Sequence, residues 1–278
     1  MAAFRNALII GASGTIGSVI LKAFEEDGSF NLTVLQHSSS KSQLPAHLKV
    51  ITIADSYPTA DFVAAFKGQD VFRLVDAPVA AGVRRYIPSE YGLNNARADA
   101  QALNPIFREK GKLQEYLRAW AADGEIEWMS ISCGMWLRWG MAHDFLGMHV
   151  KERRFVFWDD GEGYFSCTTE ENTAAGIVRA LRSPEETKNR NVFLGDFAGV
   201  KYKTEKIDSG AFIKQKHEAI RQGDRTAKFS LIETGFVMGK FGGHLEKEPG
   251  EIMNEKLGLP AKKLDEVVAN ALKSVGAL

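Results

Sequence analysis

The chain has 278 residues, 35 Lys and Arg against 35 Asp and Glu, 45 % hydrophobic and 25 % charged residues, a balance that excludes disordered and fibrous classes and can bury one large core or two lobes sharing a cleft. Zero net charge argues against nucleic acid or an anionic membrane surface as the main partner, and two cysteines, Cys133 and Cys167, are too few for a disulfide framework and fit a reducing compartment. The most apolar stretch, from Trp128 to Met148, carries Arg138, His143 and Asp144, and the run Ala7 to Ile10 is too short for a signal peptide, so a soluble cytoplasmic protein is expected.

The first apolar run, Ala7 to Ile10, reads as a buried strand that enters Gly11-Ala-Ser-Gly14-Thr-Ile-Gly17. A helix with Ile16, Val19, Ile20 and Ala23 on one face follows at once. Strand, glycine loop and amphipathic helix in that order are the context a dinucleotide fingerprint requires. Gly11 permits the turn, Gly14 lets the backbone approach a pyrophosphate, and Gly17 lets the helix pack on the strand. The helix N-terminus adds unpaired N–H groups, and Ser13 and Thr15 add hydroxyls. Gly11, Ser13, Gly14, Thr15, Ile16 and Gly17 therefore form the expected diphosphate site.

The second strand, Leu32 to Leu35, ends in Gln36, His37, Ser38, Ser39, Ser40 and Lys41. An NAD site usually places Asp or Glu here for the ribose hydroxyls. No carboxylate follows this strand, whereas His37, Ser38 and Lys41 suit a 2′-phosphate, so NADP(H) is favoured over NAD(H). Asp55, just after the third strand (Leu48 to Ile53), is placed either on adenine or as the cap of the next segment. A helix at Asp61 to Phe66 and a strand at Arg85 to Ile87 complete a βα alternation that implies a parallel, doubly wound sheet. A long helix from Asn104 to Ala122 leads to a strand at Glu127 to Ser132, and Thr173 to Leu181 and Asn191 to Leu194 read as a helix and strand returning to the sheet.

Beyond Gly134 aromatic residues crowd the chain, among them Trp136, Trp139 and Phe145, which suit either core packing or an aromatic substrate pocket. The C-terminal Leu264, Val267, Val268, Ala271, Leu272 and Val275 recur at helical spacing, with Pro260 suited to that helix's first turn. A literal Tyr-x-x-x-Lys at Tyr202 to Lys206 sits in strand-like alternation. There the two side chains start about 13 Å apart, against about 6 Å on a helix, so it is read as chance. No metal site is expected, because His143 and His149 do not share a helical face and neither cysteine neighbours a histidine.

The stretch Ala81-Gly-Val-Arg-Arg-Tyr-Ile-Pro-Ser-Glu-Tyr-Gly92 resembles the NmrA-like and isoflavone reductase-like proteins, atypical members of the short-chain dehydrogenase/reductase superfamily. The glycine loop, Phe107-Arg-Glu-Lys110 and Trp158-Asp-Asp-Gly-Glu-Gly163 extend the resemblance over most of the first 195 residues. It implies a Rossmann-type NADP(H) domain over 1–132, with 168–198 returning to it. It also implies a smaller, interleaved substrate lobe over 133–167 and 199–278. The family's reductases use a lysine that Lys110 matches, whereas periodicity alone cannot separate Lys110 from Lys112. Ser89, Glu90 and Tyr91 fall at the end of a strand, where cofactor-binding groups gather.

Two stretches are shorter than the family's. One is the connection from Phe72 to Arg84, which lacks the loop over the fourth strand's carboxyl end and places a helix start near Asp76 with Pro78 inside it. The other follows Phe197, where only Ala198-Gly199 stands in place of a helix. The expected function is an NADPH-dependent oxidoreductase acting on a small, aromatic or phenolic substrate, with Lys110 catalytic and Trp136, Trp139 and Phe145 at the substrate. The alternative is a non-catalytic dinucleotide-binding redox sensor that acts through a protein partner.

Overall fold

The computed structural model describes residues 4–56, 58–67, 71–72, 81–150, 152, 154–198, 205–274 and 276. β1 (Asn6–Ile10), β2 (Asn31–His37), β3 (Lys49–Ile53), β4 (Val71–Phe72), β5 (Arg85–Tyr86) and β6 (Glu127–Ser132) pair in parallel with one another and with strand Arg190–Phe193. The sheet order is Arg190–Phe193, β6, β5, β4, β1, β2, β3. From β1 the chain winds outward to β3, then crosses back to β4 and winds the other way. The strand order therefore reverses between β1 and β4, the point at which an open α/β sheet leaves a ligand crevice beyond its carboxyl ends. This is a Rossmann-type doubly wound α/β fold.

Alternate residues of one strand feed opposite layers, as a period of two requires. In β1, Ala7 and Ile9 pack with Ile20, Leu21 and Phe24 of helix Thr15–Asp27 and with Ile177, Val178 and Leu181 of helix Glu170–Arg182. Leu8 faces the other layer, with Phe62 and Phe66 of helix Thr59–Phe66 and Leu117 of helix Pro105–Ala122. The Pro105–Ala122 helix begins where the sequence places it. Asn104 caps it by accepting the Ile106 N–H at 2.8 Å, and Pro105 fills the first turn, where no N–H is needed.

Two small mixed sheets follow. Strand Ser166–Thr168 lies between Met135–Trp136 and Phe197–Ala198, and strand Arg154–Trp158 between Met148–His149 and Glu205–Ile207. The C-terminal helix runs Leu264–Ser274 and packs on helix Leu137–Ala142. Pro260 thus lies outside its first turn. That residue instead gives its carbonyl to the Asn172 side-chain amide at 3.4 Å. Lys206 belongs to a strand, and Tyr202 lies outside the described residues, as do Asp76, Pro78, Gly199 and Val275. Among the described residues no helix is long and apolar enough to cross a membrane.

The layer that holds helix Glu170–Arg182 also holds a buried charge. Arg85 is fully buried and donates to Glu127 at 2.8 and 3.2 Å, to the Thr187 hydroxyl at 2.9 Å and to the Pro184 carbonyl at 2.7 Å. Burial alone would raise the Glu127 carboxyl. The hydrogen bonds from Lys188 and Arg85 outweigh that and hold it below the usual carboxylate range. Glu127→Ala leaves the guanidinium buried without its anion and is expected to cost about 3–5 kcal/mol in denaturant unfolding at neutral pH. The native carboxyl binds its proton less readily than the unfolded one. The gap between wild type and variant should therefore close as pH falls through the native value, and a pH-independent gap would refute the ion pair's role.

Candidate active site

The glycine loop leaves β1 at Ile10 and turns at Gly11, whose φ of +71° lies in the left-handed region. The Gly14 N–H returns to the Gly11 carbonyl at 3.0 Å, and Gly14 then serves as the N-cap of helix Thr15–Asp27. No side chain caps this helix end, and Gly11, Ser13, Gly14 and Thr15 are exposed, so the first N–H groups face outward. Gly17 is buried against the turn, and a Cβ there would stand 1.8 Å from the Gly11 carbonyl oxygen. Ile16 is half-buried and packs on the core beneath. A helix end of this kind, open and free of acidic residues, is built for an anion.

Beside the loop a cavity of about 270 Å³ is lined by Gly11, Ala12, Ser13, Gln36, His37 and Ser40, among others. Gln36 carries a buried Oε1 without a hydrogen-bond partner. A hydroxyl or amino group of an adenosine bound there would satisfy it, and the Cβ-free cradle admits the diphosphate, so the residues fit a dinucleotide. The far rim differs from expectation. His37 and Ile53 are paired across β2 and β3, which brings Asp55 beside the serine loop. Asp55 accepts the Ser39 N–H at 3.1 Å and the Ser38 hydroxyl at 3.2 Å, and lies 3.2 Å from His37 Nδ1. It thus ties down the preceding loop rather than capping the segment after it. The Ser39 backbone bond is the main cause that holds its carboxyl below the usual range. A carboxylate therefore does stand at this rim, contributed by the neighbouring strand. Lys41 is exposed nearby.

The second cavity, about 250 Å³, gathers residues distant in sequence: Glu90 and Tyr91 after β5, Lys110, then Trp136, Trp139 and Phe145. Lys110 is half-buried, and its Nζ donates to the Glu90 main-chain carbonyl at 2.8 Å. Lys112 instead pairs with Glu109 at 3.0 Å on the exposed face. The Glu90 carboxyl is buried, and its Oε2 accepts the Asn95 and Gln114 amides, each at 2.8 Å. Burial pushes this carboxyl above its ordinary range, against the pull of the Lys110 charge and the two amide bonds. Tyr91 lines this cavity and also a narrow crevice beside Gly17, and its ring lies 6.1 Å from that of Trp136. Ser89 is exposed at the strand end.

Trp139 meets Phe145 edge-on at 5.5 Å. Phe229, Ile232 and Phe236, from helix Ala227–Val237, close the opposite wall. Sequence reasoning did not single them out. The helix carrying them mixes Lys228, Ser230, Glu233 and Thr234 with its apolar residues and shows no single apolar face to mark a pocket. Both cysteines are free and buried, with burial pushing the Cys133 thiol up to about 11 and the Cys167 thiol up to about 12, so neither is a reactive thiolate. Among the described residues no group of three or more His, Cys, Asp or Glu is arranged to hold a metal.

A glycine cradle at the sheet's switch point, together with a lysine in a second, aromatic cavity, is the layout of a dinucleotide-binding protein with a separate small-molecule pocket. The NmrA-like family matches residues 67–129. Oxidoreductase aprR of Aspergillus flavus is 31 % identical over 303 residues, covering 96 % of this chain and 99 % of its own. Oxidoreductase poxI of Penicillium oxalicum is 25 % identical, covering 94 % and 92 %. The chain belongs to the NmrA-like family. Among solved structures, an isoflavone reductase superposes with a TM-score of 0.73 at 18 % identity, covering 97 % of this chain and 99 % of its own. The complex of AtPrR2 with NADP+ and (+)-pinoresinol gives 0.75 at 17 %, covering 98 % and 99 %. These two likenesses concern the fold.

Proposed function

We propose that the chain is an NADPH-dependent oxidoreductase that reduces a small aromatic or phenolic compound. The observation that carries this reading is the meeting of Lys110 with Tyr91, Trp136, Trp139 and Phe145 around one cavity. Relatives named as oxidoreductases, and a similarly folded protein crystallised with NADP+ and an aromatic ligand, support it. The bound nucleotide supplies the hydride. The Gly11–Gly17 backbone would hold its diphosphate, with Ser13 and Thr15 adding hydroxyls, and His37, Ser38 and Lys41 would meet a 2′-phosphate, with the Asp55 carboxylate, 3.2 Å from His37 Nδ1, opposing it. Lys110 orients the ribose and nicotinamide end and stabilises the negative charge that develops on the substrate oxygen. The aromatic walls, drawn from residues 133–167 and 199–278, hold a planar ring and keep water from it.

The test is thermal unfolding with NADP+, NADPH, NAD+ and NADH, followed by NADPH consumption with a panel of aryl ketones and enones. A ligand at one hundred times its Kd adds about 2.7 kcal/mol of stability, easily seen as a rise in Tm. Both phosphorylated forms should raise Tm more than their unphosphorylated partners. His37→Arg should widen that preference about tenfold, the worth of one charge-assisted hydrogen bond to the 2′-phosphate. No response to any of the four nucleotides would end the reading. Binding of both redox states with no consumption on any acceptor would instead fit a regulator that reports redox state to a protein partner.

A further inference from the structure

Resting on the reading of the aromatic cavity as the substrate pocket, we propose that Glu233 is a positioning residue of that pocket: it ties the left-handed loop that carries Phe145 to the helix forming the facing wall, and so sets the width of the slot a planar substrate enters. The contact is direct. Glu233 Oε1 accepts the Gly147 main-chain N–H at 2.5 Å.

The loop is one that needs holding. Asp144 (φ +52°), Leu146 (φ +62°) and Gly147 (φ +70°) all stand in the left-handed region. Glycine adopts that region freely and aspartate tolerates it, but a leucine there is strained, and such strain persists only where the surroundings impose it. Phe145 sits between two of these residues and lines the cavity. Three main-chain bonds shape its turn. The Phe145 N–H donates to the Gly140 carbonyl at 2.8 Å, the Met148 N–H to the Phe145 carbonyl at 3.2 Å, and the Val156 N–H to the Gly147 carbonyl at 2.9 Å. These join the loop to helix Leu137–Ala142 and to strand Arg154–Trp158. The Glu233 bond is of another kind, because it crosses to helix Ala227–Val237.

On that helix Glu233 follows Ile232, one turn after Phe229 and nearly one turn before Phe236, and all three of those neighbours line the cavity. A single element therefore carries one wall and the anchor of the wall facing it. Burial pushes the Glu233 carboxyl up, and the Gly147 N–H pulls it down. A glutamine of the same shape keeps an acceptor for that N–H, and an alanine keeps none. Lys110 belongs to helix Pro105–Ala122, so loss of the tether should widen the slot without displacing the ammonium.

The experiment compares wild type, E233A and E233Q labelled with 5-fluorotryptophan, the Trp139 ¹⁹F resonance being assigned by its loss in W139F. Trp139 meets Phe145 edge-on at 5.5 Å, so its resonance reports where that ring sits. In E233A the resonance should shift and broaden. The Gly147 amide should exchange about tenfold faster or more, while amides of the Pro105–Ala122 helix keep their rates. E233Q should restore wild-type behaviour in both. KM for an aryl ketone that wild type reduces should rise about fivefold or more in E233A, with kcat within about twofold, the pattern of lost substrate fit rather than lost chemistry. A Trp139 resonance or a Gly147 exchange rate unchanged in E233A would overturn the proposal, and so would an unchanged KM. Should E233A fail to fold, E233D draws the acceptor back by one methylene and should move each readout in the same direction, and no movement would overturn the proposal equally. A wild type that consumes no NADPH would sink the reductase reading, while the fluorine and exchange measurements, which need no turnover, would still decide the tether.

Discussion

Lys110→Met is expected to lower NADPH-dependent turnover by about 10²–10⁴-fold, the range that a positioned acid or charge-stabilising group supplies. Methionine keeps the length and apolar volume of the stem, so the aromatic cavity keeps its shape and only the ammonium is lost. Among the described residues, neither of the nearby cations Lys112 and Arg118 is placed to replace it. Lys112 lies on the outer face and is held by Glu109 at 3.0 Å, and Arg118 is engaged with Gln114. The proposed diphosphate and adenosine contacts involve a different cavity, beside the glycine loop. Dinucleotide affinity, measured by calorimetry, should therefore change by less than about tenfold, well below the loss in rate. A variant that retains a tenth or more of wild-type turnover would remove Lys110 from the chemistry.

Gly17→Ala should abolish the Tm response to every dinucleotide and destabilise the fold by about 1–3 kcal/mol. The added methyl would have to sit 1.8 Å from the Gly11 carbonyl oxygen, which is main chain and cannot swing aside. Relief requires helix Thr15–Asp27 to move off β1. That shift also spoils the spacing between its first N–H groups and the turn at Gly11. Gly14→Ala offers a graded control, since its Cβ would approach the same oxygen only to 3.2 Å. It should lose less stability and retain part of the nucleotide response. Equal behaviour of the two variants would show that close packing of this turn is not what shapes the cradle.

The features read correctly from sequence are those whose physics is local. The glycine loop, the helix read from Asn104 to Ala122 and the strand Glu127–Ser132 each declare themselves within a short stretch of sequence. Asp55 shows where that locality ends. Its partners, Ser38 and Ser39, are set by the register of β2 against β3, which no short window contains. Lys110 and Lys112 are equivalent to any periodicity argument. Only the family resemblance distinguishes them; in the structure Lys110 donates to the Glu90 carbonyl, whereas Lys112 pairs with Glu109. Phe229, Ile232 and Phe236 come to the cavity from another part of the chain, on a helix whose apolar residues alternate with Lys228, Ser230 and Glu233 without forming one face. The hydrogen bonds of the Glu90 carboxyl were likewise hidden, since they depend on a loop and a helix converging on one strand end.

The helix that bears Lys110 is shared between two cores. Phe107 packs with Leu103 and Phe236 in one core, whereas Leu117 packs with Trp128 in the other, beneath the main sheet, and Lys110 lies between these anchors. A rod pinned at both ends cannot swing as a flap. Amide protons from Arg108 to Leu117 should then exchange with solvent water only when the whole molecule opens, and at the same slow rate whether or not nucleotide is present. The ammonium holds its address in the empty protein, so recognition at this end is a matter of fit into a rigid socket.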